Sequence, residues 1–160
     1  MKFLIAHFQK HRERKRFDFL WRITLESFLL SCVVSALASI TQFEERESPE
    51  ESFWLLAVSV VIGAPFLETI IFQMIPTEIL RLLKTKIWHQ IAVCTALFCI
   101  MHVFEGIVVG LAAGLVGGFY LAFTYVHWRD RNWWTATWMT MVSHAASNAV
   151  ALTLMTYGAS

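Results

Sequence analysis

The segment GAPFLETIIFQMIP, residues 63–76, carries a single acidic side chain, Glu68, within an apolar run that contains Pro65 and Pro76. A carboxylate in such surroundings is either used by the protein or tolerated by it. Which of the two holds depends on where the segment lies, because a charged group costs more inside a bilayer than at a surface in contact with water. The composition of the whole chain answers that first question.

The chain has the composition of a membrane protein. Of its 160 residues, 57% are hydrophobic and only 16% are charged, and this balance lies outside the usual range of soluble domains. Most of its apolar stretches approach the ~20 residues that a spanning helix needs, and the third is the shortest. They cover residues 23–41, 53–80, 91–104, 106–126 and 133–157. We predict an all-α fold, a polytopic bundle of about five transmembrane helices.

The basic residues give the bundle an orientation. Lysine and arginine precede the first stretch and fill the second and fourth connections, whereas the acidic segment EERESPEE, residues 44–51, lies in the first connection. The positive-inside rule therefore places the N-terminus in the cytoplasm. Tryptophans near the proposed cytoplasmic edges predict an aromatic belt: Trp88, Trp128, Trp133 and Trp134. We expect a multi-pass integral protein of the bacterial cytoplasmic membrane.

The chain divides into a basic cytoplasmic segment, residues 1–22, and a membrane-embedded helical domain, residues 23–160. The cluster KHRERKR at residues 10–16 is compatible with nucleic acid, but directly before a spanning helix such a cluster is more often an anchor on anionic lipid. We therefore expect the lipid bilayer as a partner and no nucleic acid. The cysteines all lie in apolar stretches and indicate neither a disulfide framework nor a CxxC site.

Four ionisable side chains fall within the apolar stretches: Glu26, Glu68, His102 and His144. Groups at bilayer depth cost at least ~2.5 to 3.5 kcal/mol on insertion scales, so each is a functional candidate. Glu26 follows Arg22 by four residues, and we predict that the two pair on one helix face near the cytoplasmic end. Glu68 has no basic residue within a helical turn, so its partner must come from another helix.

The polar residues of the later stretches are predicted to reach the depth of Glu68. His144 and Asn148 in SHAASN are spaced i, i+4, which stacks their polar tips on one face, and Phe98 precedes His102 by one turn in FCIMH. The depth of each side chain below the cytoplasmic edge of its helix follows from a rise of 1.5 Å per residue. The depths of Glu68, His102 and His144 are then about 20, 18 and 16 Å. These depths are close to the midplane of a ~30 Å hydrocarbon core.

Glycines recur at every fourth position of the fourth stretch, at Gly106, Gly110, Gly114 and Gly118, with Gly117 beside them. Small residues at this spacing let neighbouring helix backbones approach closely in a membrane. We predict that the stripe serves helix packing and takes no part in the chemistry.

A carboxylate, two imidazoles and an amide at one depth can activate water and stabilise an oxyanion, which suits peptide hydrolysis without a covalent intermediate. The order of Glu68, FCIMH, a glycine-rich helix and HAASN resembles the CAAX-protease and bacteriocin-processing (CPBP/Abi) family of intramembrane proteases over about residues 65–150. That family carries the motifs EExxxR, FxxxH and HxxxN or HxxxD. The second and third match fully, as Phe98/His102 and His144/Asn148.

The first motif is modified in this chain. The sequence ETIIFQ keeps Glu68 but has Thr69 and Gln73 where the family has Glu and Arg. These positions are spaced i, i+4, so the family's residues could form a local ion pair. We expect Thr69 and Gln73 to replace it with a neutral hydrogen-bonding pair, which makes the chain a divergent member of the family.

The resemblance implies a role for each site residue. Glu68 would be the general base, His102 would help to hold the water, and His144 with Asn148 would stabilise the oxyanion, with Thr69, Gln73 and Phe98 in support. Two histidines and one glutamate also make an open zinc site. Nothing in the chain forms HExxH, so we expect no cofactor to be required; if zinc is bound, its ligands would be Glu68, His102 and His144.

Two other classes of protein fit the same residues. A non-catalytic family member, acting as an immunity or scaffold membrane protein, would account for the modified first motif. A proton-coupled transporter also places Glu and His at the midplane, although five short helices without an inverted repeat give it little support. On the enzyme hypothesis the partner is a membrane-associated peptide or protein substrate, such as a prenylated C-terminus or a leader, and self-association is compatible with the short bundle.

Overall fold

The computed structural model of the chain describes Gln9, His11 and residues 15–40 and 53–157. Over these residues the protein is entirely helical and has no strand, which confirms the all-α prediction. The helices are α1 (Arg16–Ser39), α2 (Phe53–Leu82), α3 (Ile87–Val103), α4 (Ile107–Arg129) and α5 (Trp133–Tyr157). The acidic segment at residues 44–51 lies outside the described residues, and the orientation of the chain stays a prediction.

The exterior of the bundle is that of a membrane protein. Three helices, α1, α2 and α4, are long and apolar enough to cross a bilayer. Helix α3 has only 17 residues, as its sequence predicts, and α5 has 25 but is rich in threonine, serine and other polar residues. Large apolar side chains such as Leu37, Ile62, Ile71 and Leu154 lie exposed on the outer faces. So extensive an apolar exterior is suited to lipid.

Helix α2 changes its hydrogen-bond pattern just before each of its prolines. Ser59–Gly63 and Thr69–Met74 are π-helical, and Pro65 and Pro76 follow two residues after the end of each. Proline has no N–H to donate, and its ring clashes with the carbonyl four residues earlier. A turn widened to i→i+5 bonding accommodates this clash. The two prolines therefore set the local geometry on either side of Glu68.

Helix α4 is pressed against α3 along its glycines. A Cβ atom on Gly110 would come within 2.4 Å of the Val103 side chain, one on Gly114 within 2.9 Å of the Cys99 Cα, and one on Gly118 within 3.0 Å of the Phe98 ring. This close approach confirms the packing role predicted for the stripe.

Gly106 was predicted to belong to that stripe, and this prediction is wrong. It lies in the turn before α4 with a φ of 132°, a backbone conformation that only glycine adopts readily. Because glycine has no side chain, it allows the chain to reverse direction between α3 and α4.

Side chains from α1 and α3 bond to carbonyls of the π-helical part of α4, Gly110–Gly117. Ser31 Oγ donates to the Ala112 carbonyl at 2.8 Å, and Cys99 Sγ donates to the Gly110 carbonyl at 3.4 Å. Because no water is available in a bilayer core, backbone groups of an irregular helix need such partners within the protein.

The packing of α1 corrects two predictions made from the sequence. Trp128 is not part of an aromatic belt, because it is fully buried against Phe19 at a ring distance of 5.4 Å. Arg22 does not pair with Glu26; its Nε donates to Asp18 at 2.8 Å, one turn in the other direction. Glu26 turns inward instead, and its carboxylate lies 3.7 Å from the Nε2 atom of His11.

A prediction follows from the contact between α4 and α3. Gly114→Ala places a methyl group against backbone atoms of Cys99, which cannot rotate away, so we expect a loss of about 1 to 3 kcal/mol of stability. Gly117→Ala is the matched control, because the nearest atom to its Cβ is 4.0 Å away. Thermal unfolding in detergent measures both variants. Equal midpoints would contradict the close packing of the two helices.

Candidate active site

Glu68 is the last residue of the α-helical turn Ala64–Glu68, between the two π-helical segments of α2. Its carboxylate points into the bundle, where Oε2 lies 3.6 Å from Nε2 of His144. His144 is buried, with 6% of its surface exposed. The separation between these two atoms is longer than a hydrogen bond. The partner that Glu68 was predicted to find on another helix is therefore an imidazole of α5.

His102 joins this pair from α3. Its Nδ1 lies 2.9 Å from the Phe98 carbonyl oxygen, and because a carbonyl can only accept, this contact assigns the ring proton to Nδ1. The neutral ring then offers Nε2 as an acceptor. His102 is close enough to interact electrostatically with both Glu68 and His144.

Phe98 is the spacer between the two histidines. Its ring centre lies 4.3 Å from that of His102 and 5.7 Å from that of His144, and the ring of Phe72 contacts it edge-on from α2. Gly118 packs directly behind it. Phe98 therefore fixes the distance between imidazoles that come from different helices.

Asn148 lies one turn beyond His144 on α5, and it is tied to the backbone of α2. Its Nδ2 donates to the Val60 carbonyl at 2.9 Å. The N–H of Ala64 bonds to Ser59, and the next bond of that π-helical series would have to come from Pro65, which has no N–H. Asn148 thus supplies a donor to a carbonyl that the proline leaves without one.

The expected hydrogen bond between Thr69 and Gln73 is not formed. Both side chains are buried, with 1% and 0% of their surface exposed, and in the described part of the chain neither Thr69 Oγ1 nor the amide of Gln73 has a hydrogen-bond partner. The cause is the π-helical turn Thr69–Met74, because i→i+5 bonding moves the side chain at i+4 out of line with the one at i.

One acidic residue near the site was not identified from the sequence. Glu105 lies in the turn after α3, three residues beyond His102, and it interacts electrostatically with Glu68. The sequence FCIMHVFEG contains the signal, since the carboxylate follows the histidine before a turn glycine. It was missed because Glu105 falls between two apolar stretches and reads as an ordinary connection.

The described residues contain no group of three His, Cys, Asp or Glu side chains arranged to hold a metal ion. His144 approaches Glu68. His102 bonds its Nδ1 to a backbone carbonyl, which leaves Nε2 as the nitrogen that could ligate, and its ring lies tilted by 31° against that of Phe98. As arranged, Glu68, His102 and His144 do not converge as zinc ligands.

Five helices with an apolar exterior and a carboxylate–imidazole pair between α2 and α5 define a helical membrane protein. The family model described as Type II CAAX prenyl endopeptidase Rce1-like matches residues 50–150. The chain therefore belongs to the Rce1-like family, which confirms the resemblance stated above. No curated protein and no solved structure matches it.

The bond between Asn148 and Val60 leads to a prediction. Asn148→Ala leaves a partly buried carbonyl without its side-chain donor, which costs up to about 1 to 3 kcal/mol. In a Pro65→Ala background the new N–H at residue 65 can bond to Val60, so the same substitution should cost less. A double-mutant cycle on thermal unfolding measures this coupling. Equal costs in both backgrounds would show that the proline does not create the need for Asn148.

Proposed function

We propose that the protein is an intramembrane endopeptidase that hydrolyses a peptide bond in a membrane-associated protein or peptide. The observation that carries the proposal is the pairing of Glu68 with buried His144 across α2 and α5, in a chain of a protease family. The description of that family names a CAAX prenyl endopeptidase, which supports a prenylated C-terminal peptide as the substrate class. We further propose a multi-pass protein of the bacterial cytoplasmic membrane.

In the proposed reaction Glu68 acts as the general base. It takes a proton from a water molecule while the water oxygen bonds to the scissile carbonyl carbon, and the carbonyl electron pair moves onto its oxygen. Glu68 then returns the proton to the amide nitrogen as the C–N bond breaks. The products are a carboxylate and an amine. A positioned acid–base group of this kind contributes about 10²- to 10⁴-fold to a rate.

The neighbouring side chains take the supporting roles. His102 accepts the second hydrogen of the attacking water through Nε2, since its Nδ1 faces the Phe98 carbonyl. His144 donates to the oxyanion, and Asn148 assists it with the second amide N–H, because a primary amide has two donors and Val60 engages one. Such donors stabilise negative charge most effectively where water is excluded.

A non-catalytic immunity or scaffold protein is the second candidate. The specific observation in its favour is that Thr69 and Gln73, which replace the family's Glu and Arg, form no bond to each other or to the catalytic pair in the described structure. On this reading the bundle keeps the family fold and binds a partner without turnover. A Glu68→Gln/His144→Ala variant that retains its full biological effect in cells would support this candidate over the protease.

The catalytic role of Glu68 gives a direct prediction. Glu68→Gln keeps the size of the side chain and removes the base, so we expect cleavage of a prenylated peptide or leader peptide by the purified protein to fall about 10²- to 10⁴-fold. Glu26→Gln is the matched control, because it neutralises a carboxylate of α1 that belongs to another cluster, and it should cleave at close to the wild-type rate. Undiminished cleavage by Glu68→Gln would disprove the mechanism.

We propose that no metal is required, and a chelator tests this. Purified protein treated with phenanthroline and then freed of it should cleave at the same rate as untreated protein, because Glu68 activates the water directly. A loss of activity that added zinc restores would instead assign Glu68, His102 and His144 as ligands. Metal content measured on the same samples distinguishes removal of zinc from inhibition by the chelator.

A further inference from the structure

Polar side chains without protein partners are concentrated next to the catalytic pair, on its cytoplasmic side as the chain is predicted to be oriented. Thr69, Gln73 and Thr140 are at most 1% exposed, and none of their side-chain oxygen or nitrogen atoms has a hydrogen-bond partner in the described structure. Leaving a buried polar group unsatisfied costs about 1 to 3 kcal/mol. Native proteins rarely accept such a cost repeatedly, and ordered water is the usual partner of such groups.

Two contacts between α2 and α5 show that these side chains share one layer of the bundle. Glu68 meets His144 at 3.6 Å, and Thr137 Oγ1, which donates to the Trp133 carbonyl, lies 3.7 Å from Met74 Sδ. The helices are antiparallel between these contacts, which lie about 10 Å apart along each axis. Thr140 of α5 falls between the two contacts, as do the unsatisfied residues of α2.

Polar contacts continue from this layer to the end of the bundle. The Tyr125 hydroxyl interacts with Thr137 and donates to Glu78 Oε1 at 3.2 Å, and Glu78 forms a bidentate pair with Arg129. A groove of about 410 Å³ opens at this ion pair, with Met74 and Trp133 in its wall. Polar side chains therefore occur at successive levels of the bundle between this open groove and Glu68.

We propose that Thr69, Gln73 and Thr140 bind a chain of buried water molecules that connects the groove, past Tyr125 and Thr137, to the catalytic pair. We call these five residues the polar column. A primary amide offers two donors and two acceptor sites without a charge, so Gln73 suits water at the position where the family has arginine. The supply of hydrolytic water by the column rests on the proposed protease function, whereas the presence of the water does not.

The water is tested first without reference to activity, with Cys94 as the reporter. This thiol is fully buried, and its sulfur lies 3.3 Å from Thr77 Oγ1 and 3.9 Å from the Gln73 carbonyl. X-ray radiolysis in ¹⁸O-water produces hydroxyl radicals from bound water in place. We expect ¹⁸O label on Cys94, whose sulfur adjoins Thr77 and the Gln73 carbonyl, and at least tenfold less on Met139, a reactive side chain of the same apolar cluster.

Apolar substitutions of similar size provide the comparison. In Gln73→Met/Thr140→Val, label on Cys94 should fall about tenfold while the thermal midpoint stays close to that of the wild type, because removing both the polar side chains and the water bonded to them is nearly neutral. If wild-type Cys94 takes up no label, or if the double variant keeps it, the buried water chain is disproved whatever the activity. The single variants serve as replacements if the double variant does not fold.

Kinetics test the link to catalysis. In the double variant kcat should fall about tenfold, equivalent to 1.36 kcal/mol in the barrier, with KM unchanged, because water delivery limits the chemical step and not substrate binding. Thr124→Val is the matched control, since Thr124 is equally buried but its hydroxyl bonds to the Tyr120 carbonyl. If Cys94 takes up label in a protein that cleaves no substrate, the buried water chain is supported and the proposed protease function is disproved. If the enzyme is active and the double variant keeps the wild-type kcat, the column does not supply the hydrolytic water.

Discussion

A bilayer core offers no water to a backbone carbonyl, so every donor removed from a membrane helix must be replaced from within the protein. Pro65 of α2 creates this requirement at the Val60 carbonyl, and the replacement donor is Asn148 of α5. In the π-helical part of α4 the carbonyls of Gly110 and Ala112 accept side-chain bonds from Cys99 of α3 and Ser31 of α1. Because each bond joins two different helices, the irregular turns that weaken single helices also hold the bundle in one register.

The geometry of the site depends on this register. Glu68 lies between the two π-helical turns of α2, and the bond from Asn148 fixes α5 so that His144 faces it. On the other side, the glycines of α4 allow α3 to come close enough for Phe98 to separate two imidazoles. Three helices thus each bring one ionisable side chain to the same part of the bundle. Of these helices α3 and α5 are regular, and α2 departs from α-helical bonding on either side of Glu68.

The sequence predicted the elements of this arrangement better than their local geometry. Depth along each helix was enough to group Glu68, His102 and His144, because rise per residue is nearly constant even in imperfect helices. The failure at Thr69 and Gln73 has a physical cause, since their predicted contact assumed α-helical periodicity through a turn that Pro76 widens. The predicted pair of Arg22 with Glu26 at i, i+4 was also wrong. Asp18 and Glu26 both lie one turn from Arg22, and packing decides which of the two carboxylates its guanidinium contacts.

Electrostatics explain why the first motif is modified at two positions together. If only one partner of an ion pair at residues 69 and 73 were neutral, the other would be left charged and buried, at a cost of about 3 to 5 kcal/mol. Replacing both by Thr and Gln avoids that cost, so the two differences from the family amount to one change. The carboxylate of Glu68 then faces no guanidinium within its own turns, and the charged states of the site depend on His102, His144 and Glu105. A neutral polar layer beside a single carboxylate is a surrounding in which water, and not a counter-ion, is the natural ligand.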